Sequence, residues 1–543
     1  MSPPREHPER LEIVGAIKAV WHEPLAWGGG LLVFFRPWRD GITYPAFNTY
    51  FLWLIVGMAA LWASRQLLRG TPLRHGTPIL LFGGYLVVAA LTGLETVQVD
   101  ATYRSLLFWS GHFFLFVLCT NAFSNPAARR LVFASFIVSA LCVSIWAILH
   151  FYYMLPFVRE QLIADPNLLL AHFNTNQWTP ELRHRLEVNR AYAPLLFPNA
   201  LAAYLLLAVP TSLGLLCQVI SELTRLRGVL NTKEAAARRL DSVRRYISAA
   251  VGLSMWFAAA AAAFFLYPFL LLVVRQDANW TAHPVSAGFF LGVVPLAIGA
   301  ASLVLTRLHG ARVFAYALSA IVLTLTALIG VVALLLTYSR GGIAALIGAV
   351  IVTTVLLRLS RVMALPRGAA VFASGLLGAI VFVLSQTSTA QQPQPGATPP
   401  PVSIASAQPV PPPQPQLRVE GIDLSAEDLA NPASLKLRLT YWNVAWRAIR
   451  DNFWTGVGLG NFGTVYANYQ YIGAGPTQAV HNDYLQSWAE TGFFGFLLFT
   501  GFWVYFVIYG ARAVLREPDR GRAWYFAGLY CAVLAFLAHS LVD

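Results

Sequence analysis

Three residues stand apart in an otherwise apolar chain: Arg190 in VNRAYAPLLFPNALAAYLL, Arg340 in LLLTYSRGGIAALIGAV and His481 in VHNDYLQSWAETGFFGF. An arginine at hydrocarbon depth costs about 2.5–3.5 kcal/mol on insertion scales. Arg340 lies between two apolar runs, and the adjacent Gly341 and Gly342 let the backbone turn and a ligand approach closely. A neutral imidazole can take a proton from a sugar hydroxyl, a contribution of about 10²–10⁴-fold to rate. Each residue also has a plainer reading. Arg340 could snorkel from a short outer turn to the headgroups. Arg190, which ends a polar loop containing Arg183 and Arg185, could anchor at the interface, and His481 could be a capping or loop histidine.

The neighbouring residues position these three. Asn482 and Asp483 are good N-caps for a helix expected over 484–510. The partial positive charge at that N-terminus, about half a unit, disfavours imidazolium and suits His481 to act as a base. Glu490, about two turns in, orients His481 or a glycan, or is a polar packing residue. Pro198 and Asn199 open the helix after Arg190. An asparagine amide in an apolar segment needs a partner, either structural or by orienting Arg190. Residues 458–463 read GLGNFG. No βαβ unit surrounds them, so a dinucleotide site is discounted and the glycines are assigned to turns.

The elements carrying these residues follow from composition. The chain has 543 residues, 57% hydrophobic and 12% charged, against about 25% charged in soluble domains. Apolar runs of about 20 residues match the length needed to cross hydrocarbon. The fold class expected is all-α: a polytopic transmembrane bundle of about 12 spans with a large extracytoplasmic loop. Helical spans are read at 46–64, 77–96, 104–121, 131–153, 194–218, 247–274, 283–306, 313–336, 341–357, 369–386, 484–510 and 524–542. The segment 24–35 is too short for a span and is either re-entrant or the start of a helix hairpin.

The expected organisation is thus an N-terminal polar segment with the short apolar run (1–45), a bundle (46–386), an outer loop (387–483) and C-terminal helices (484–543). Within the loop, 391–417 is a Pro/Gln-rich tether and about 435–452 is amphipathic, with Leu435, Leu439, Trp442, Trp446 and Ile449 at helical spacing. That helix is expected on the membrane surface. No basic stop follows the last apolar run, and the native chain is expected to continue past Asp543.

Charge sets orientation. Arg65, Arg69 and Arg74, Arg129 and Arg130, the loop at 219–246, Arg307 and Arg312, Arg358, Arg361 and Arg367, and Arg512, Arg516, Arg520 and Arg522 fall in one alternating set of loops. That set is assigned to the cytoplasm, placing 154–193 and 387–483 outside. Arg36 and Arg39 conflict with this assignment. The net charge is +13, but its basic residues are scattered over short loops, which argues against nucleic acid. Cys119, Cys142, Cys217 and Cys531 lie singly in apolar runs, which argues against a disulfide framework or zinc site. No carboxylate cluster points to a divalent metal, and no cofactor is expected.

The chain resembles the O-antigen ligase family, which includes O-antigen polymerases and protein O-oligosaccharyltransferases. The resemblance is carried by RLTYWNVAWRAIRDNFWTGVGLGNF and HNDYLQSWAETGFFG, together with TYSRGG and the Arg190–Asn199 spacing before the Pro-Asn pair. Ala193 stands where the family often has glycine. The resemblance implies a C-type glycosyltransferase-like fold, a metal-independent inverting reaction and a donor linked to undecaprenyl diphosphate. It implies a multi-pass protein of the bacterial inner membrane with a periplasmic site. By it Arg190 and Arg340 bind the diphosphate and His481 activates the acceptor hydroxyl. Arg438, Asn199, Tyr338, Ser339, Asn482, Asp483 and Glu490 are the further candidate substrate-binding residues.

The acceptor, whether lipid A core, another repeat unit or a protein, is left open, with ligase favoured because the whole motif set fits it. A lipid-linked sugar transporter or flippase, the reading of another class, predicts ionisable residues at mid-membrane in several helices. Here the arginines and the histidine gather toward one face.

Overall fold

The computed structural model describes residues 24–38, 45–70, 76–124, 126–169, 178, 186, 190–195, 197–230, 312–360, 433–471 and 477–542. The spans expected at 247–274, 283–306 and 369–386 and the tether at 391–417 lie outside these residues, as does Arg39. Among the described residues every regular element is helical: α1 (Pro24–Phe35), α2 (Pro45–Arg69), α3 (Thr77–Thr92), α4 (Val99–Asn121), α5 (Pro126–Leu149), α6 (Leu155–Ala164), α7 (Pro198–Leu230), α8 (Arg312–Leu336), α9 (Arg340–Leu359), α10 (Ala433–Asp451), α11 (Phe462–Tyr469), α12 (Asp483–Arg516) and α13 (Arg520–His539). A π-helical turn at His150–Met154 joins α5 to α6.

Among the described residues, eight helical stretches are long and apolar enough to cross a membrane: Asn48–Arg69, Thr77–Glu95, Ala128–Ala164, Pro198–Arg225, Tyr316–Leu336, Arg340–Leu359, Asp483–Arg516 and Arg520–His539. The protein is a polytopic helical membrane protein. Helix α4 has the length, but Arg104, Ser105, Ser110 and His112 lower its apolar content, and it is not among the eight. Helix α1, at 12 residues, packs its buried Leu25, Ala26, Leu32 and Phe34 inward, and Ser139 of α5 donates to the Phe34 carbonyl at 2.9 Å. Arg36, which conflicted with the charge pattern, lies at the turn after α1. There it donates to Asn48 at 3.4 Å and stacks 5.5 Å from the Phe51 ring. Such pairing removes much of the cost of a cation at depth.

The core is built where α5, α7, α8, α9 and α13 meet, around Val143, Leu201, Leu205, Leu334, Leu346 and Ala535. Helix α12 is bent. Gly492 adopts φ 68° and ψ −173°, a region open essentially to glycine alone. The bend is held by backbone bonds from Phe493 N to the Phe453 carbonyl and from Val457 N to the Ala489 carbonyl, both 2.9 Å. The stretch Asp483–Thr491 is thereby turned out of line with the rest of α12 and packed against α10 and α11 through Val444, Ala445, Ile449, Phe462 and Ala489.

The two ends of the bundle differ. At one end Arg225 of α7 pairs with Asp519, and Arg522 of α13 pairs with Glu517 at 3.1 Å. Leu357 of α9 packs there with Val514 and Ala523, so Arg358 shares that end with Arg512, Arg516 and Arg520. Phe133 near the start of α5 meets Tyr525 of α13, with ring centroids 5.9 Å apart, which brings Arg129 and Arg130 to the same end. The opposite end gathers the N-termini of α7, α9 and α12, the C-termini of α8 and α13, and helices α10 and α11.

Candidate functional site

The site is assembled at this second end. Helix α8 stops at Leu336 and α9 begins at Arg340, leaving Thr337, Tyr338 and Ser339 as the turn. Tyr338 has φ 48°, in the left-handed region. Ser339 caps α9: its Oγ accepts from Gly342 N at 3.3 Å. Arg340 is therefore the first residue of α9, and its side chain is exposed.

Arg190 is bound to the same turn. Its Nε donates to the Thr337 carbonyl at 2.7 Å, and Ala191 N donates to the Leu336 carbonyl at 2.8 Å. Its Nη2 donates to Asn199 Oδ1 at 3.2 Å. The asparagine amide at the head of α7 thus has a partner, and it orients Arg190. Two arginines 150 positions apart share one turn of backbone.

His481 also has a left-handed backbone, with φ 55°. Its carbonyl accepts from Trp442 Nε1 at 3.4 Å, and its ring centroid lies 5.8 Å from that of Tyr441. Both partners lie on α10, the helix that carries Arg438, which is half-buried. Burial pushes the Tyr441 hydroxyl pKa up, so it remains a proton donor next to the imidazole. Asn482 caps α12, its Oδ1 accepting from Tyr484 N at 3.1 Å and Leu485 N at 3.0 Å. Asp483 is exposed at the first helical position.

The residues that close the assembly escaped the sequence reading. The turn that follows α13 touches every part of it. His539 Nε2 lies 3.3 Å from the Asn199 carbonyl. The Ser540 carbonyl accepts from Asp483 N, and the Leu541 carbonyl from Asn482 Nδ2, each at 3.0 Å. Val542 lies against Gly341, where an added Cβ would come within 2.7 Å of its Cγ2. The turn therefore joins Asn199, Gly341 and Asn482, the respective neighbours of Arg190, Arg340 and His481. A histidine at the end of an apolar run was the one signal available.

Three helix N-termini, those of α7, α9 and α12, meet at this turn. Each carries a partial positive charge of about half a unit, although side-chain caps already take up N–H groups of α9 and α12. With two guanidinium groups beside them, the arrangement favours a polyanion.

Glu490 does something different. It is buried, and its carboxylate accepts from Gly460 N at 2.9 Å, Phe462 N at 3.4 Å and Gln486 Nε2 at 3.2 Å. It holds the GLGNFG segment in place. Gly458, at φ 95°, sits so close to Thr96 that a Cβ would fall 2.2 Å from its Oγ1. Fully buried Asn461 completes the latch: its Nδ2 donates to Thr96 and Thr102, and its Oδ1 accepts from Gln98 N, all at 2.8 Å. The glycines make turns, as expected, and the loop ties α10 and α11 to the start of α4.

The sequence model of the O-antigen ligase family matches residues 325–500. The matched stretch takes in Tyr338, Ser339, Arg340, Arg438, His481, Asn482, Asp483 and Glu490 and leaves Arg190 and Asn199 outside. No curated protein and no solved structure matches the chain. The match is to a membrane glycosyltransferase family of the ligase and polymerase type, in keeping with the motif resemblance.

Proposed function

We propose that this O-antigen-ligase-like chain transfers a glycan from an undecaprenyl-diphosphate-type lipid donor to an acceptor hydroxyl, at the periplasmic face of a bacterial inner membrane. The observation that carries the reading is the shared turn: Arg190 is hydrogen-bonded to the backbone at Thr337, three residues before Arg340, where three helix N-termini meet. The site end lies opposite the arginine-rich end. By the positive-inside rule this supports an outward-facing site.

In the reaction, Arg190 and Arg340 hold the diphosphate oxygens and stabilise the charge that develops as the glycosidic bond breaks. His481 takes the acceptor proton, and the acceptor oxygen attacks the anomeric carbon opposite the departing diphosphate, inverting that centre. Asn199, Ser339 and Asn482 hold these groups in position. Tyr338, Asp483 and Arg438 are placed to meet the glycans. Guanidinium charge stands in for a metal, so the reaction needs none. The acceptor is lipid A core in the ligase reading favoured by the motif set, or a repeat unit or protein in the related ones. The clustering of the charged groups at one end favours a one-sided reaction over a flippase path.

The test is a knockout strain complemented with Arg340→Ala or His481→Ala. Both variants should stay in the membrane, accumulate lipid-linked glycan and lose the mature product. Normal product from His481→Ala would remove the base assignment. Glycan trapped on the cytoplasmic leaflet would show transport instead.

A further inference from the structure

Two polar side chains buried close to this turn are unused by the proposed reaction. His150, in the π-helical turn at the end of α5, is 8% exposed, and Arg159 of α6 is 5% exposed. Arg159 Nε donates to the Leu186 carbonyl, but its Nη2 has no hydrogen-bond partner among the described residues. His150 Nδ1 has none either. A buried polar nitrogen without a partner costs about 1–3 kcal/mol, more when charged. Two such groups side by side call for an explanation, of which an absent ligand is one.

Their surroundings indicate its class. The Tyr192 ring stands 4.4 Å from the His150 ring, edge to face. Arg159 is close enough to both His150 and Tyr192 to interact with them electrostatically. Around them are apolar residues, Met154, Leu155, Val158 and Leu186. Among the described residues no carboxylate is paired with Arg159. A guanidinium and an imidazole nitrogen would hold an oxyanion, and the aromatic ring would cover the apolar face of a sugar.

The location fits the transfer site. Tyr192 is two residues from Arg190, and the Phe151 ring lies 6.4 Å from that of Tyr338. A sugar seated at Arg159 would belong to a glycan whose reacting end lies at the Arg190–Arg340 turn.

We infer that Arg159, His150 and Tyr192 form a subsite for an acidic sugar, one bearing a carboxylate or phosphate, within the glycan handled by the transfer site. The identity of the ligand as a glycan rests on the proposed function; the oxyanion site does not.

The test is therefore direct binding. The melting temperature of the purified protein, in neutral detergent at constant ionic strength, is measured with glucuronate, glucose 6-phosphate, glucose or inorganic phosphate. Glucuronate or glucose 6-phosphate should raise it saturably, and glucose should not. Arg159→Gln and His150→Phe should weaken the binding about 10–100-fold, the loss expected for one charge-assisted bond. Arg159→Lys keeps the charge and should retain part of it. No stabilisation by either acidic sugar, or equal stabilisation of Arg159→Gln, overturns the inference. So does an equal effect of inorganic phosphate that is lost in Arg159→Gln, which would mark a bare anion site. Binding without glycan transfer would sink only the proposed function. Transfer without binding would sink only the subsite.

The source of the acidic sugar is read in a transfer assay that varies one substrate at a time. A KM rise in Arg159→Gln confined to donors with acidic sugars assigns the subsite to the donor, and one confined to acidic acceptors assigns it to the acceptor. A rise shared by neutral and acidic glycans of both kinds overturns the inference.

Discussion

Arg190 and Asn199 are held as a pair: the guanidinium reaches Asn199 Oδ1 at 3.2 Å with Nη2 while Nε is fixed on the Thr337 carbonyl at 2.7 Å. One edge of the guanidinium is thus held by the protein, which sets the direction in which the group points. Asn199→Ala removes one of the two restraints and should lower kcat/KM about 10-fold, the low end for a hydrogen bond made by a charged group. Asn199→Asp should be worse than alanine, because a carboxylate pairs with the guanidinium and weakens its hold on a diphosphate. An aspartate variant as active as the parent would show that Arg190 does not bind an anion.

Much of this arrangement could be read in the sequence, and the unread part has a physical cause. Apolar length alone locates α2, α3, α5, α7, α8, α9, α12 and α13, because hydrocarbon thickness dictates it. The cap at Asn482 and the turn glycines of GLGNFG are local, set by residues within three or four positions. The stripe read on α10 as a membrane-surface face meets the protein core at Ile449 and, in part, at Trp442. Leu439 and Trp446 remain 52% and 48% exposed, while Tyr441, Val444, Ala445 and Ile449 are buried. That helix is apolar on two sides, and periodicity cannot tell the protein-facing stripe from one available to lipid. The roles of Glu490 and His539 depend on partners 28 to 340 positions away. No spacing rule reaches that far.

The bend in α12 should depend on Gly492. A Cβ there would lie 2.0 Å from the Trp454 carbonyl oxygen, in a backbone region that penalises every side chain. Gly492→Ala should cost at least about 3 kcal/mol, strain and overlap together. The expected outcome is loss of folded protein by size-exclusion profile and a lowered melting temperature in what remains. A variant that keeps the parent's melting temperature would mean that α12 does not need this bend.

At the arginine-rich end, Asp519 caps α13 by accepting from Arg522 N at 2.8 Å and pairs with Arg225. The Arg522 backbone N–H, and then Arg225, hold its carboxyl below the usual range. A depressed folded-state value means that its stabilisation is present above the ordinary carboxylate pKa of about 3.9 and fades as pH falls through the folded value. The melting temperature should therefore not depend on this group between pH 6 and 8, on the order of neutrality. Asp519→Asn keeps the cap and should cost less than about 1 kcal/mol, since the pair is exposed and screened. Salt titration of both proteins checks this: the difference between them should shrink as ionic strength rises.

The turn after α13 can be tested by a cycle that leaves Arg190, Arg340 and His481, the proposed catalytic residues, untouched. Gly341 and Val542 approach so closely that a methyl on the glycine would sit 2.7 Å from Val542 Cγ2. Gly341→Ala should therefore displace the start of α9, and Arg340 with it, lowering kcat/KM about 100-fold, as misplacements of about 1 Å do. Val542→Ala alone removes the opposing methyls at the edge of the core and should be nearly neutral for transfer. Combined, the two changes restore the space, so the double variant should recover most of the activity lost by Gly341→Ala. Such a rescue requires that the two residues meet in the active protein. Additive losses would separate the turn from the Arg340 end of the site and leave it only its contacts with Asn199, Asn482 and Asp483.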